Sequence, residues 1–274
     1  MKTLTKKMIK SLIKKRENSS GKGSHGHALI IAGRKGMMGT AIISSKACLR
    51  SGVGLITVNV PQDERIIPQS IVPEAILMMR ENKDYNLNRF SAVGIGPGIG
   101  IDKAAEEMLI NYIKKCDKPL LLDADALTII ALNKNILNII PQKTILTPHH
   151  IEFDRLFGIH KNIESRMKTA LQKAKEYNIV IVLKSHETLI TSSDKIFLNK
   201  TGNAGLAKGG SGDALTGIIT SFLAQGYKPI NAAKQGVYLH GLASDFALKE
   251  QSMESMLISD VINCLGEAFK HISK

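Results

Sequence analysis

The residues best placed to do chemistry in this chain form the run Lys208-Gly209-Gly210-Ser211-Gly212-Asp213-Ala214-Leu215-Thr216-Gly217. Glycines and a carboxylate there stand directly before Leu215, Ile218, Ile219, Phe222 and Leu223, apolar residues that recur at helical spacing. A glycine-rich turn entering a helix gathers unpaired N–H donors at the positive helix end, and that attracts phosphate. Asp213 is the odd member. A carboxylate beside a phosphate cradle repels the ligand unless it has work to do, such as taking a proton from an attacking hydroxyl. The competing reading is an acid that only complements the helix dipole.

The elements that must position this loop follow from the apolar pattern. Short apolar runs at 28–33, 55–60, 92–96, 120–123, 144–147 and 179–184 read as strands, and 188–191 with 195–198 as a hairpin around Ser192-Ser193-Asp194. Helical patterns are expected at about 40–50, 102–114, 214–224, 231–248 and 258–272. Strands alternating with helices predict a mostly parallel sheet covered on both faces. In such a sheet the carboxyl ends of the strands carry ligands. The unusual residues collect there: 33–39, 96–100, Asp123-Ala124-Asp125, Pro148-His149-His150-Ile151-Glu152 and 184–188.

Composition narrows the classes. With 274 residues, 43% of them hydrophobic, the chain can bury a sizeable core, and 4% aromatic content without tryptophan makes that core aliphatic. No apolar run approaches the roughly 20 residues of a membrane span. The opening residues lack a signal-peptide pattern, so the cytoplasm is expected. Cys48, Cys116 and Cys264 lie far apart without zinc-site spacing, which fits a reducing compartment. The net charge of +13 gathers partly in Lys2, Lys6, Lys7, Lys10, Lys14, Lys15, Arg16 and Lys22, opposed by Glu17 alone. Without zinc-finger spacing or interleaved aromatics, a solvated surface or attraction for an anionic nucleotide explains this better than nucleic-acid binding. One domain over 22–274, preceded by a basic lead helix or arm at 1–21, is expected.

Two familiar phosphate loops are absent. Gly94, Gly96, Gly98 and Gly100 repeat every second residue and do not make GxGxxG, and GxxxxGK[ST] does not occur. Gly210-Ser211-Gly212-Asp213 instead resembles the anion-hole GxGD of ribokinase-like kinases. More narrowly, the chain resembles the nucleotide-dependent NAD(P)H-hydrate dehydratases. The resemblance is carried in order by Lys22-Gly23-Ser24-His25-Gly26, Gly39-Thr40, Ala47-Cys48-Leu49-Arg50-Ser51-Gly52-Val53-Gly54-Leu55, Gly96-Pro97-Gly98-Ile99-Gly100 and Leu122-Asp123-Ala124-Asp125-Ala126-Leu127. It continues through Thr147-Pro148-His149-His150-Ile151-Glu152, Leu183-Lys184 and the run 208–217.

That resemblance implies a ribokinase-like three-layer α/β/α fold with a mostly parallel central sheet. It also implies a metabolite-repair lyase acting on the S-epimer of NADHX or NADPHX, the hydrated forms of NADH and NADPH. The ring hydroxyl is phosphorylated by ADP, or by ATP, with Mg²⁺, and phosphate then leaves as the ring double bond returns, giving AMP and phosphate when ADP is the donor. A separate NAD(P)H-hydrate epimerase as functional partner and a homotetramer are implied too, with neither nucleic acid nor membrane as partner.

By the same resemblance Asp213 deprotonates or orients the substrate hydroxyl and contacts the hydrate. The N–H groups of Gly210, Ser211 and Gly212 steady the transferring phosphoryl, and Gly212 also borders the nucleotide. Thr40, where the family usually has alanine, Gly98, Gly100 and His149 contact the dinucleotide. Lys184, Ser185, His186, Glu187 and Thr188 form the nucleotide strand and turn, and Glu152 organises water around Mg²⁺. Plainer readings stand beside these: a tight turn for Gly98 and Gly100, helix capping for Glu152, and a strand-end lysine for Lys184. Asp123 and Asp125 serve either Mg²⁺ and phosphates through water or an N-cap. The functional alternatives are a ribokinase-like kinase of a vitamin or thiazole alcohol and a basic nucleic-acid-binding protein.

Overall fold

A computed structural model describes residues 1–82 and 86–274. Its centre is a sheet of ten strands in the order β1-β10-β9-β8-β7-β6-β5-β2-β3-β4. The strands are β1 (Lys2–Thr3), β2 (His27–Ile31), β3 (Leu55–Val60), β4 (Ile76–Met79), β5 (Ala92–Ile95), β6 (Leu120–Leu122), β7 (Ile145–Leu146), β8 (Val180–Leu183), β9 (Thr188–Ser192) and β10 (Lys195–Asn199). All neighbouring pairs are parallel except those of β9, which runs antiparallel to both β8 and β10. Among the described residues β9, the first strand of the hairpin expected at 188–198, is therefore the one reversed strand of the sheet.

Alternation along the strands sends side chains to two separate cores. Ile30, Val58, Leu121, Ile145, Val182 and Ile190 face one side. There they meet α1 (Lys6–Lys10), α2 (Met38–Arg50), α8 (Ser211–Ala224), α9 (Pro229–Ala247), α10 (Ile258–Asn263) and α11 (Leu265–Ser273). Leu29, Ile31, Val93, Ile95, Leu122, Leu146 and Ile181 face the other. That side is covered by α4 (Lys103–Lys115), α5 (Asp125–Leu132), α6 (His150–Phe157) and α7 (Ile163–Glu176), while the short α3 (Ile66–Ile71) lies between β3 and β4. The result is the expected three-layer α/β/α arrangement.

Several elements differ from the sequence reading. The helix expected over 258–272 is interrupted at Cys264, two residues before Gly266, a poor helix former. Strand β4 and helices α5 and α7 were not expected as elements. The basic lead is built into the molecule: β1 extends the sheet beside β10, and Leu4 and Ile9 are buried. The Lys14 ammonium donates to the Gln225 and Gly226 carbonyls, and the Tyr227 hydroxyl accepts from the Lys14 N–H at 2.9 Å. Among the described residues no helix is long and apolar enough to cross a membrane.

Candidate active site

The carboxyl ends of β5, β6, β7 and β8 place functional groups side by side because hydrogen bonds continue past the strands. The Asp123 N–H donates to Ile95 O at 3.1 Å, Thr147 N–H to Leu122 O at 3.2 Å, and Lys184 N–H to Pro148 O at 2.8 Å. Asp123 and Lys184 thus stand just past the ends of β6 and β8, and His149, two residues beyond the position opposite Asp123, pairs with Lys184 in a parallel bridge.

Asp123 is 1% exposed, and both its oxygens are engaged. Oδ1 accepts from the Lys184 ammonium at 2.8 Å, and Oδ2 accepts from the Thr216 hydroxyl of α8 at 2.9 Å. One carboxylate therefore ties β6, β8 and α8 together. This is not the N-cap role open to it from sequence. A Cβ on Gly212 would lie 3.2 Å from Lys184 Nζ and 3.4 Å from Asp123 Oδ2, so the lysine sits against the first turn of α8.

The glycine run makes that first turn. Gly210 caps α8 with φ +92°, a left-handed conformation that glycine adopts without strain. The Ser211 N–H closes the turn on Lys208 O at 3.3 Å, and Ala214 N–H donates to Gly210 O at 2.9 Å. No acceptor among the described residues takes the N–H groups of Gly212 and Asp213. The Lys208 ammonium anchors the turn from outside by donating to the Glu254 and Met256 carbonyls at 2.5 and 2.7 Å.

Asp213 is half-buried at this point. Burial, together with repulsion from Asp123 and Asp125, pushes its carboxyl up to about 7 against the pull of Lys184. Glu152, 8% exposed, is also pushed up to about 7, chiefly by burial and further by Asp123, while Lys184 and the His149 N–H oppose the rise. For Lys184, burial alone would favour the neutral amine. Asp123 and Glu152, the latter 3.9 Å away, outweigh it and hold the ammonium charged. Two protonatable carboxyls thus flank a fixed cation.

His149 and Glu152 begin α6 as a capping box. His149 Nδ1 accepts from the Ile151 and Glu152 N–H groups at 3.1 and 3.3 Å, and Glu152 Oε2 accepts from the His149 N–H at 2.8 Å. The capping reading of Glu152 therefore holds in the structure, with Oε2 making the cap and Oε1 lying 3.7 Å from His149 Nε2. Because Nδ1 is an acceptor, the imidazole proton sits on Nε2. Burial and the Lys184 charge lower the His149 pKa, so the ring is a neutral donor.

The Thr40 hydroxyl is held by the Met37 and Pro97 carbonyls at 2.8 and 3.0 Å, which joins the start of α2 to the loop after β5. In that loop Gly98 has φ +64° beneath Thr40, and the Gly100 N–H donates to Asp125 Oδ2 at 2.8 Å. Asp125 thus shapes the glycine loop; it makes no side-chain cap of α5. Beyond Gly100 opens a groove of about 600 Å³ lined in part by Arg34, Arg80, Ile99, Met108 and Tyr112.

Of the nucleotide-turn residues, Lys184 joins the Asp123 cluster, whereas Ser185 and His186 are exposed. The Ser185 hydroxyl donates to Glu187 O at 2.6 Å, Thr188 Oγ1 donates to Ser185 O at 3.2 Å, and Glu187 pairs with Lys200 at 3.3 Å. These side chains hold the turn at the rim. Thr216 was missed in the sequence, although its position three residues after Asp213 puts it on the same helix face. Among the described residues no group of three or more His, Cys, Asp or Glu side chains forms a metal cage.

With this geometry established, comparison with known proteins adds four findings. Residues 28–266 match the family model described as NAD(P)H-hydrate dehydratase. The ADP-dependent (S)-NAD(P)H-hydrate dehydratase of Listeria monocytogenes is 34% identical over 259 residues, covering 92% of this chain and 91% of that protein. The bifunctional NAD(P)H-hydrate repair enzyme of Moorella thermoacetica is 33% identical over 287 residues; the match takes in 99% of this chain, which spans about half, 54%, of that relative's length. Among solved structures, the ADP/ATP-dependent NAD(P)H-hydrate dehydratase from Bacillus subtilis co-crystallised with ATP/Mg²⁺ superposes with a TM-score of 0.88 at 30% identity, covering 99% of this chain and 98% of that one.

Proposed function

The chain belongs to the NAD(P)H-hydrate dehydratase family, and from that premise we propose that it is an ADP-dependent (S)-NAD(P)H-hydrate dehydratase. The observation that carries the reading is the placing of Asp213. Its carboxyl, poised near neutral pH, follows a glycine turn whose free N–H groups and adjacent Lys184 suit a phosphoryl group. A hydroxyl attacking phosphorus needs both features at one place.

In the proposed reaction the ring hydroxyl of the hydrate attacks the β-phosphorus of ADP. Asp213 takes its proton, a P–O bond breaks and AMP departs. The ring-nitrogen lone pair then expels phosphate by breaking the C–O bond, and the neighbouring ring carbon loses a proton to restore the double bond. Hydroxide is a poor leaving group and phosphate a good one, which is why phosphorylation must come first. The Gly212 and Asp213 N–H groups and Lys184 offset charge on the moving phosphoryl, with Gly210 and Ser211 shaping the turn. His149 Nε2–H, Thr40, Gly98 and Gly100 bound the dinucleotide side, and the Arg34 groove has room for its remainder.

Glu152 Oε1, which accepts no hydrogen bond and lies 3.7 Å from His149 Nε2, suits Mg²⁺, an ion that keeps several waters and takes further ligands from phosphates. Bound there through water, Mg²⁺ would neutralise phosphate charge. The turn Lys184, Ser185, His186, Glu187 and Thr188 would border the adenine nucleotide. Residues 22–274 are read as the catalytic domain and 1–21 as its lead. A separate epimerase partner is consistent with the bifunctional relative, and a homotetramer and cytoplasmic location complete the proposal.

The test is recovery of reduced-nicotinamide absorbance from hydrated NADH with Mg²⁺ and either ADP or ATP. ADP should support the faster recovery, with phosphate released. A stable phosphorylated product would instead identify a small-molecule kinase, and no recovery with either donor would remove the assignment. Asp213→Asn should bind ADP normally while kcat falls roughly 10²–10⁴-fold.

A further inference from the structure

The proposed reaction moves two protons and therefore needs two acceptors. The ring hydroxyl gives its proton to Asp213, which is protonated when phosphate leaves. The ring carbon beside the leaving oxygen must then lose a proton to a second base. Most groups at this edge of the sheet are already engaged. Asp123 is 1% exposed with both oxygens bonded, and Lys184 is held as an ammonium. His149 turns its Nδ1 lone pair to the N–H groups of α6, and Glu152 uses Oε2 in the cap and faces His149 with Oε1.

Asp125 differs from all of these. It is half-buried at the start of α5; its Oδ2 accepts from the Gly100 N–H at 2.8 Å, and Oδ1 takes no hydrogen bond among the described residues. Ala124, just before it, has φ 51° and ψ −120°, a backbone that residues with side chains rarely adopt. Strain of this kind collects at sites where a side chain must be aimed. Gly96 comes so close to the Asp123 carbonyl that a methyl group there would collide with it, so the turn 123–125 is pressed against the loop after β5. On the other side lies the first turn of α8. Burial and Asp123 raise the Asp213 carboxyl first, and the Asp125 charge adds to them. Asp125 thus borders both the glycine loop of the dinucleotide side and the acid that serves the hydroxyl. An acid in the first turn of a helix also complements its dipole, but that explains neither the strain at Ala124 nor the open oxygen.

We propose that Asp125 is a second catalytic base, taking the ring proton in the elimination half of the reaction, a role that rests on the dehydratase reading above. As phosphate departs with the C–O electron pair, the ring-nitrogen lone pair forms a C=N bond. The C–H electron pair of the adjacent carbon then becomes the ring double bond, the nitrogen recovers its lone pair, and the proton passes to Asp125 Oδ1. Two carboxylates thereby serve neighbouring atoms of one ring in succession, Asp213 the oxygen and Asp125 the carbon. Being only half-buried, Asp125 can return its proton to water.

Rapid-quench turnover of hydrated NADH with Mg-ADP, following AMP and reduced nicotinamide separately, tests this. In the wild type the two products should form one for one. In Asp125→Asn, whose amide oxygen can still accept the Gly100 N–H, AMP should form in a first-turnover burst while nicotinamide recovery slows roughly 10²–10⁴-fold. The phosphorylated hydrate should then accumulate and be seen by mass analysis. Unchanged recovery in Asp125→Asn, with a loss only in Asp125→Ala, would mark a residue that merely shapes the loop and would overturn the proposal. An equal slowing of AMP and nicotinamide in Asp125→Asn would overturn it too, since the residue would then act in binding or phosphorylation. Should Asp125→Asn fail to fold, Asp125→Glu, which keeps the charge but displaces it, should show the same lag of nicotinamide behind AMP, and absence of the lag would overturn the role. A wild type that forms neither AMP nor reduced nicotinamide would overturn the proposed function instead.

Discussion

At the scale of single residues, the site is a balance of charges around Lys184. Asp123 fixes the ammonium, while burial first, and the Asp123 charge after it, pushes Asp213 and Glu152 up to about 7. For catalysis the sign is clear. Asp213 accepts a proton only when ionised, so kcat/KM should rise with pH along an acid limb centred near 7, which a pH profile of the recovery assay would show. An acid limb near 4 would contradict it.

For stability the sign is opposite. A carboxyl raised in the folded state stabilises the protein below the ordinary carboxylate pKa, and that contribution is lost as pH rises through about 7. Asp213→Asn should therefore melt roughly 2–4 °C above wild type at pH 8, with a smaller gain at pH 5. Asp123→Ala, which strands Lys184 and the buried Thr216 hydroxyl, should cost about 3 kcal/mol in denaturant unfolding. Asp213, Glu152 and Lys184 could be picked out in the sequence because each sits at a strand end or helix start with a distinctive neighbourhood. The Asp123–Thr216 bond could not, since the partners are 93 residues apart and meet only once the sheet is assembled.

At the scale of elements, α8 is the organiser. Residues 214–224 are all buried, so the helix that begins at the cradle is also the centre of one core. Gly217 meets α2 so closely that a methyl group there would run into the Ser44 carbonyl. Gly217→Ala should therefore push α8 from α2, displace Asp213 one turn away and lower both melting temperature and kcat; unchanged values for both would show that the crossing is not tight. The apolar stripe of α8 was legible because its period is strong. Strand β4, at the sheet edge with Ile76 exposed and Leu77 half-buried, and α5, almost uniformly apolar, were not, because neither has a clear alternation of buried and exposed positions. The break at Cys264 was hidden for the opposite reason: the apolar stripe runs straight across it.

At the scale of the whole molecule, the parallel sheet brings every chemically unusual segment to one edge, which strand–helix alternation alone anticipated. What alternation could not give was strand order, which decides that Asp123, His149 and Lys184 are neighbours. Nor did it place the lead, whose β1 extends the sheet beside β10 and whose Ile9 joins the core around α8 and α9. Deleting residues 1–10 removes buried Leu4 and Ile9, worth roughly 1.5–3 kcal/mol each, so thermal unfolding should shift clearly downward; an unchanged melting temperature would make the lead dispensable. In the proposed reaction the substrate's own oxygen is phosphorylated before it leaves. Hydrated NADH carrying ¹⁸O in the ring hydroxyl, turned over with ADP and Mg²⁺, tests this directly by mass analysis of the released phosphate. The label should appear in inorganic phosphate, one atom per NADH recovered. Label released into water, with unlabelled phosphate, would contradict the account.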